Sequence, residues 1–252
     1  QALVFNGTTI KGGVVTMKDG VVLAGNGVTL EGVTLNGEIE VGVSGPGQSL
    51  RVKNGLTLNG TLRVGDVGAS GNYGTVLFDG TQTLGGSGTV IFGHLQNNSI
   101  RAGQEEQVLT IGAGVTVRGQ NGYLGAHAYP FGGANVASVV NEGTIQCDVA
   151  EGTISISASG AGSQFTNRGT VRVTNGATLR ISEVWSNEGQ LLAEGGTLRL
   201  EGAGILTETG ILDLTRGALS LGGTLTRTVP SLNLDGSANA RFVGPVLNDS
   251  AG

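Results

Sequence analysis

The residues best suited to touching a ligand gather in one short stretch. Tyr123, His127, Tyr129 and Phe131 bring together four of the few ring side chains in a chain with 3 Tyr, 6 Phe and 1 Trp. Flat aromatic faces with polar tips suit contacts with sugars or proteins. The stretch around them, 125–138, breaks the pattern of its neighbours and reads as a loop projecting from one corner. Loops of that kind carry function more often than the scaffold beneath them. The plainer reading of the same residues is a loop folded down on the scaffold with its rings buried.

Acid groups are more scattered. Glycoside hydrolysis needs two carboxylates converging within several ångströms. Glu142 and Glu188 occupy equivalent places in a repeat, Glu208 falls at a neighbouring slot, and Asp148 and Asp213 lie elsewhere. No tight acidic cluster is visible, so no catalytic residue is expected and the chain reads as a non-enzyme. The two histidines, His94 and His127, show no metal-ligand spacing. No calcium-binding nonapeptide of the Gly-Gly-x-Gly-x-Asp type occurs. Neither a metal nor another cofactor is expected. Cys147 is the single cysteine, which rules out an internal disulfide. It shares a strand face with Ile145 and reads as a small buried apolar residue.

Composition narrows the class. Glycine supplies 48 of 252 residues and proline 4, without a Gly-X-Y period, which excludes collagen. The chain is 38% hydrophobic in ordered alternation, which disfavours disorder. A net charge of −5 with no basic run makes nucleic acid a poor partner. No apolar run approaches a membrane span, so no membrane insertion is expected. The first residues, from Gln1 to Gly7, already look like repeat, so the chain is expected to be a piece of a longer precursor.

What positions the candidate residues is a repeat. Val139-Val140-Asn141-Glu142-Gly143-Thr144-Ile145 returns as Phe165-Thr166-Asn167-Arg168-Gly169-Thr170-Val171 and as Trp185-Ser186-Asn187-Glu188-Gly189-Gln190-Leu191. A looser copy starts at Leu206. The offsets are 26, 20 and 21 residues. A second strand repeats with it, through Ile154, Leu179, Leu198 and Leu219. Upstream, Asn36, Asn59 and Asp79 mark a more degenerate form. Each unit holds about three strand-sized pieces, and equivalent residues recur in fixed order, as stacking requires. The inward set is Ile145, Val171, Leu191 and Leu212, together with that second series. Asn141, Asn167 and Asn187 are expected to form a structural amide ladder. Corner glycines are expected to supply positive φ. Gln82 falls on an apparently inward position, so either the register slips or its amide is hydrogen-bonded. Thr144, Thr153, Thr170, Thr178 and Thr197 point outward, but Arg172, Arg180 and Arg199 interrupt any flat threonine face of the ice-binding kind.

The pattern Phe165-x-Asn-x-Gly-x-Val followed by Gly176-x-Thr-Leu-x-Ile resembles the β-helical stalk repeats of large secreted bacterial surface proteins. These include autotransporter passengers and filamentous-haemagglutinin-like exoproteins. The resemblance implies an all-β, right-handed parallel β-helix, here of about ten to twelve coils given the repeat length. It also implies secretion and a scaffold or adhesive role at the cell surface, and it transfers no catalytic residue. The expected layout is one solenoid over 1–252. Degenerate coils run over 1–124, the loop over 125–138, regular coils over 139–229, and a last coil or the start of the next segment over 230–252. The expected partners are a second copy stacked head to tail, flanking domains of a longer chain, or surface glycans. The alternative is a carbohydrate-binding module or a polysaccharide-active β-helix enzyme.

Overall fold

The computed structural model describes residues 2–68, 70–126, 133–207, 209–214, 216–227, 239–242 and 246–248. Among these residues all regular structure is β-strand. Every strand ladder is parallel, and one chain winds through three faces in the order A, B, C. Face A is a ten-stranded sheet running from Ala2–Asn6 to Ile211–Asp213. Faces B and C belong to one continuous sheet, because several strands, such as Val28–Asn36 and Thr178–Asn187, run across the bend between them. The molecule is therefore a parallel β-solenoid of about nine turns. Nine steps of about 4.8 Å between ten face-A strands give a rod about 43 Å long.

The strands exist because apolar residues alternate and stack. On face A the column Leu62, Val90, Val117, Ile145, Val171, Leu191 and Leu212 is in register from coil to coil. On face B the column Ile154, Leu179, Leu198 and Leu219 does the same. All are buried. Burying a side chain of this kind is worth roughly 1.5–3 kcal/mol. No single coil buries both of its flat sides, so stability belongs to neighbours.

Spacing along the chain is less regular than the repeat implies. Successive face-A strands lie 20, 16, 23, 28, 27, 28, 26, 20 and 21 residues apart. The long middle coils explain why the turn count falls below ten to twelve. The same insertions shift the expected equivalences. Asn59 Nδ2 donates to Asn36 Oδ1 at 3.0 Å, but Asp79 stacks on Lys53 rather than on Asn59. The copy starting at Leu206 also slips, because Leu206 itself stacks on Asn187. Glu208 lies outside the described residues. Of the expected last segment, Asn239–Phe242 and Val246–Asn248 stack on 218–221 and 225–227.

Gln82 opens face C in the column of Leu109. Its amide closes a bulge one coil back. Oε1 accepts the Gly55 N–H at 2.8 Å, and Nε2 donates to the carbonyls of Asp79 at 2.7 Å and Val52 at 3.1 Å.

Candidate functional site

The corner from face A to face B varies most between coils. After Thr89–Phe92 it holds residues 93–98; after Thr116–Gly119 only Gln120; after Thr144–Cys147 residues 148–152. Two projecting corners thus flank a coil that turns tightly. The gap between them is an open groove of about 460 Å³ lined by His94, Leu95, Gln96, Asn97, Gln120, Asn121 and Glu151.

Buried asparagines hold this corner. Asn98 is fully buried; its Oδ1 accepts the Gly74 N–H at 3.2 Å and its Nδ2 donates to Asn121 O at 3.3 Å. Asn121 Nδ2 donates to His94 O at 2.6 Å, and its Oδ1 accepts the Thr153 N–H at 2.7 Å. The His94 N–H donates to Asp66 O at 2.7 Å. His94 Nδ1 lies 3.3 Å from Gln120 Oε1. On the other wall, Gly152 N–H donates to Val149 O at 3.0 Å, closing a turn in which Glu151 takes a φ of 61°.

Tyr123 lies beside this groove, half-buried on the face-B strand Asn121–Gly125, stacked between Ser99 and Ser155. The stretch 120–124, an Asn-Gly sequence that reads as a corner, is a strand from Asn121 onward. The glycine has a packing reason, since a Cβ on Gly122 would lie 2.7 Å from the ring of Phe92. His127, Tyr129 and Phe131 lie outside the described residues. The flanks of their segment return to the rod. Ala126 N–H donates to Ser157 O at 2.9 Å, and Ala134 N–H donates to Ala102 O at 3.0 Å. The carboxylate of Glu105 accepts the N–H groups of Asn135 and Val136, which holds its pKa below the usual range. Beneath these flanks Arg101 is fully buried, and desolvation lowers its pKa to about 10.

The acidic candidates do not converge. Arg168 separates Glu142 from Glu188 and pairs with the latter, Nε to Oε2 at 3.1 Å. Asp148 is buried and paired with Arg118. Asp213 ends face A. Sequence reasoning missed a different acidic group. Glu38, Glu40 and Asp66 line a groove of about 290 Å³ with Arg63. Burial and then the Glu38 charge push Glu40 up, whereas the Ser70 hydroxyl and then the Gly68 N–H hold Asp66 down. The signal was Glu38-x-Glu40 on one strand face; Asp66 comes from the next corner. Among the described residues no group of three or more His, Cys, Asp or Glu side chains is placed to hold a metal ion. Burial pushes the Cys147 thiol up to about 12, which keeps it protonated and unreactive at neutral pH.

The asparagine ladder is structural. Asn141 Nδ2 donates to Asn167 Oδ1 at 2.8 Å, and Asn167 Nδ2 donates to Asn187 Oδ1 at 2.7 Å. All three are fully buried. Ile111 stacks above the ladder and Leu206 below it. The glycine of each Asn-x-Gly corner is not there for positive φ. A Cβ on Gly169 would lie 2.1 Å from Gly143 O, and one on Gly189 would lie 2.2 Å from Gly169 O. Stacked corners approach too closely for a side chain.

Comparison with family models, with curated proteins and with solved structures gave no match for this chain.

Proposed function

We propose that this chain is a length of stiff rod displayed on or outside a bacterial cell, working as an adhesin stalk or a fibre subunit that stacks end to end. The kind of molecule meant is the stalk of autotransporter passengers and filamentous-haemagglutinin-like exoproteins. The observation that carries the reading is the uninterrupted in-register core, which gives a stiff rod without any disulfide or metal. A second feature supports stacking. The inward residues of the first coil, Leu3, Phe5, Ile10, Val15 and Met17, continue the core columns, yet Leu3 is 52% exposed and the others are only half-buried. That surface fits another coil, and a head-to-tail contact of this type builds filaments. The chain acts through shape rather than by catalysis.

Electron microscopy of the purified chain over a range of concentrations tests the proposal. Rods joined end to end, lengthening with concentration and shortened by Leu3→Lys/Ile10→Lys, are expected. Single short rods at every concentration would refute stacking. Filaments unaffected by the double variant would place the contact elsewhere.

A further inference from the structure

We infer that the groove at the A-to-B corner binds a neutral oligosaccharide. This goes beyond the scaffold reading and does not depend on whether the rod stacks. The groove arises because residues 93–98 and 148–152 project from coils two steps apart, while the coil between them turns through Gln120 alone. Two steps set the walls about 9.6 Å apart, room for one sugar chain. A volume of about 460 Å³ falls within the range of small-molecule sites.

The lining chemistry selects the ligand class. Gln96, Asn97 and Gln120 each present an N–H donor and a carbonyl acceptor side by side, a match for neighbouring sugar hydroxyls. His94 adds a ring nitrogen and Glu151 an acceptor. Leu95 lines one wall, and Val149, 40% exposed, sits on the turn of the other, so C–H faces also find apolar contact. Neither Lys nor Arg lines the groove, and the Glu151 carboxylate repels anions. A uronate, sulfate or phosphate polymer is therefore disfavoured. The walls are also set in advance, because buried Asn98 and Asn121 tie residues 93–98 to the coils on either side. A rigid site gives up less entropy on binding.

The test is a titration followed by NMR of the whole chain, with cellotetraose, chitotetraose and mannotetraose as neutral probes and tetragalacturonate as the acidic one. At least one neutral probe is expected to shift the resonances of His94, Gln96 and Gln120. Gln120→Ala and the exposed pair Gln96→Ala/Asn97→Ala should each weaken that binding by about tenfold or more. Their thermal midpoints should stay unchanged, because these side chains carry no core packing. Glu151→Gln should improve binding of tetragalacturonate relative to the parent. Absence of shifts with every neutral probe would overturn the assignment, as would equal binding of the acidic probe to the parent chain. Binding indifferent to the groove variants would overturn it as well.

Discussion

The coils below residue 144 and the coils between 61 and 143 share one core and differ at their corners. In the lower region the last two face-A steps take 20 and 21 residues, and corners close with Asn-x-Gly. In the middle region three successive steps take 28, 27 and 28, and corners carry insertions. The column from Leu62 to Leu212 runs through both without a slip. Parallel stacking requires only that each strand return to its own column. Corner length is then nearly free, since lengthening a loop adds little closure entropy. The lower region spends that freedom on close stacking, and the middle region spends it on surface relief. The glycan-binding groove proposed above belongs to the second.

Asparagine shows the contrast most directly, and it gives the largest expected effect. In the lower region Asn167 is fully buried and joined to Asn141 and Asn187. Asn167→Ala takes the donor from Asn187 Oδ1 and the ladder acceptor from Asn141 Nδ2. A buried polar atom left unpaired costs about 1–3 kcal/mol, so a loss of about 2–3 kcal/mol is expected. Upstream, Asn59 makes a similar bond to Asn36 but is exposed. Asn59→Ala should cost about 0.5–1 kcal/mol. Urea unfolding monitored by circular dichroism compares the two, with an unchanged denaturant slope confirming that stability alone has moved. Equal losses would mean that burial does not distinguish the two ladders.

The same contrast governs what could be read in advance. Ile145, Val171 and Leu191, the Asn141 ladder and the three-strand coil were legible because stacked positions repeat the same residue type. A repeated type is direct evidence of contact in a solenoid. The middle region was harder because insertions change the offset from coil to coil. Asn36, Asn59 and Asp79 look equivalent at offsets of 23 and 20, but residues 65–73 enter before Asp79 and move it to face B. Leu206 fails for a similar reason: the corner after it is two residues longer than the one after Asn187. Tyr123 reads as part of a corner because Gly122, which makes room for Phe92, resembles a turn glycine. The groove has no motif at all. It is created by the shortness of one corner between two long ones, a difference visible only once coils are aligned.

Glycine separates close stacking from open corners at a smaller scale. Gly204 stacks on Trp185 in face C, and an added Cβ would lie 2.0 Å from Trp185 Cζ2. Gly204→Ala should cost about 1–3 kcal/mol through overpacking. Trp185 is the only tryptophan, buried, with Nε1 donating to Glu201 O at 3.2 Å. Its fluorescence should therefore shift to the red in this variant. Gly176 sits at an open corner with a φ of +72° and no atom near the added Cβ. Gly176→Ala should cost only about 1 kcal/mol, from backbone strain, with tryptophan emission unchanged. A red shift in both variants would mean that the corner and the packed face are coupled.

The smallest expected effect tests whether close stacking extends to the charged surface. Arg180 and Arg199 are stacked neighbours on face B, an arrangement that repels. Glu201 holds both: Oε2 accepts from Arg180 Nε at 2.8 Å, and Oε1 accepts from Arg199 Nε. Burial alone raises the Glu201 pKa, but hydrogen bonds from the two arginines outweigh it and leave it lowered. A carboxyl with a lowered folded pKa stabilises the fold above its unfolded value and loses that contribution as pH falls. Glu201→Gln should therefore cost about 0.5–1 kcal/mol at neutral pH and low salt, after allowance for solvent screening of partly exposed arginines. The gap between parent and variant should narrow as pH falls below the model value of 4.5, and again in high salt. Arg168 and Glu188, more exposed at 53% and 40%, form a simple pair at a corner. Glu188→Gln should change nothing measurable, because such a pair gains little over two hydrated ions. If the Glu188 variant loses as much as the Glu201 variant, stacking like charges around one shared carboxylate has no special weight, and the surface of the lower coils follows the same rules as any other.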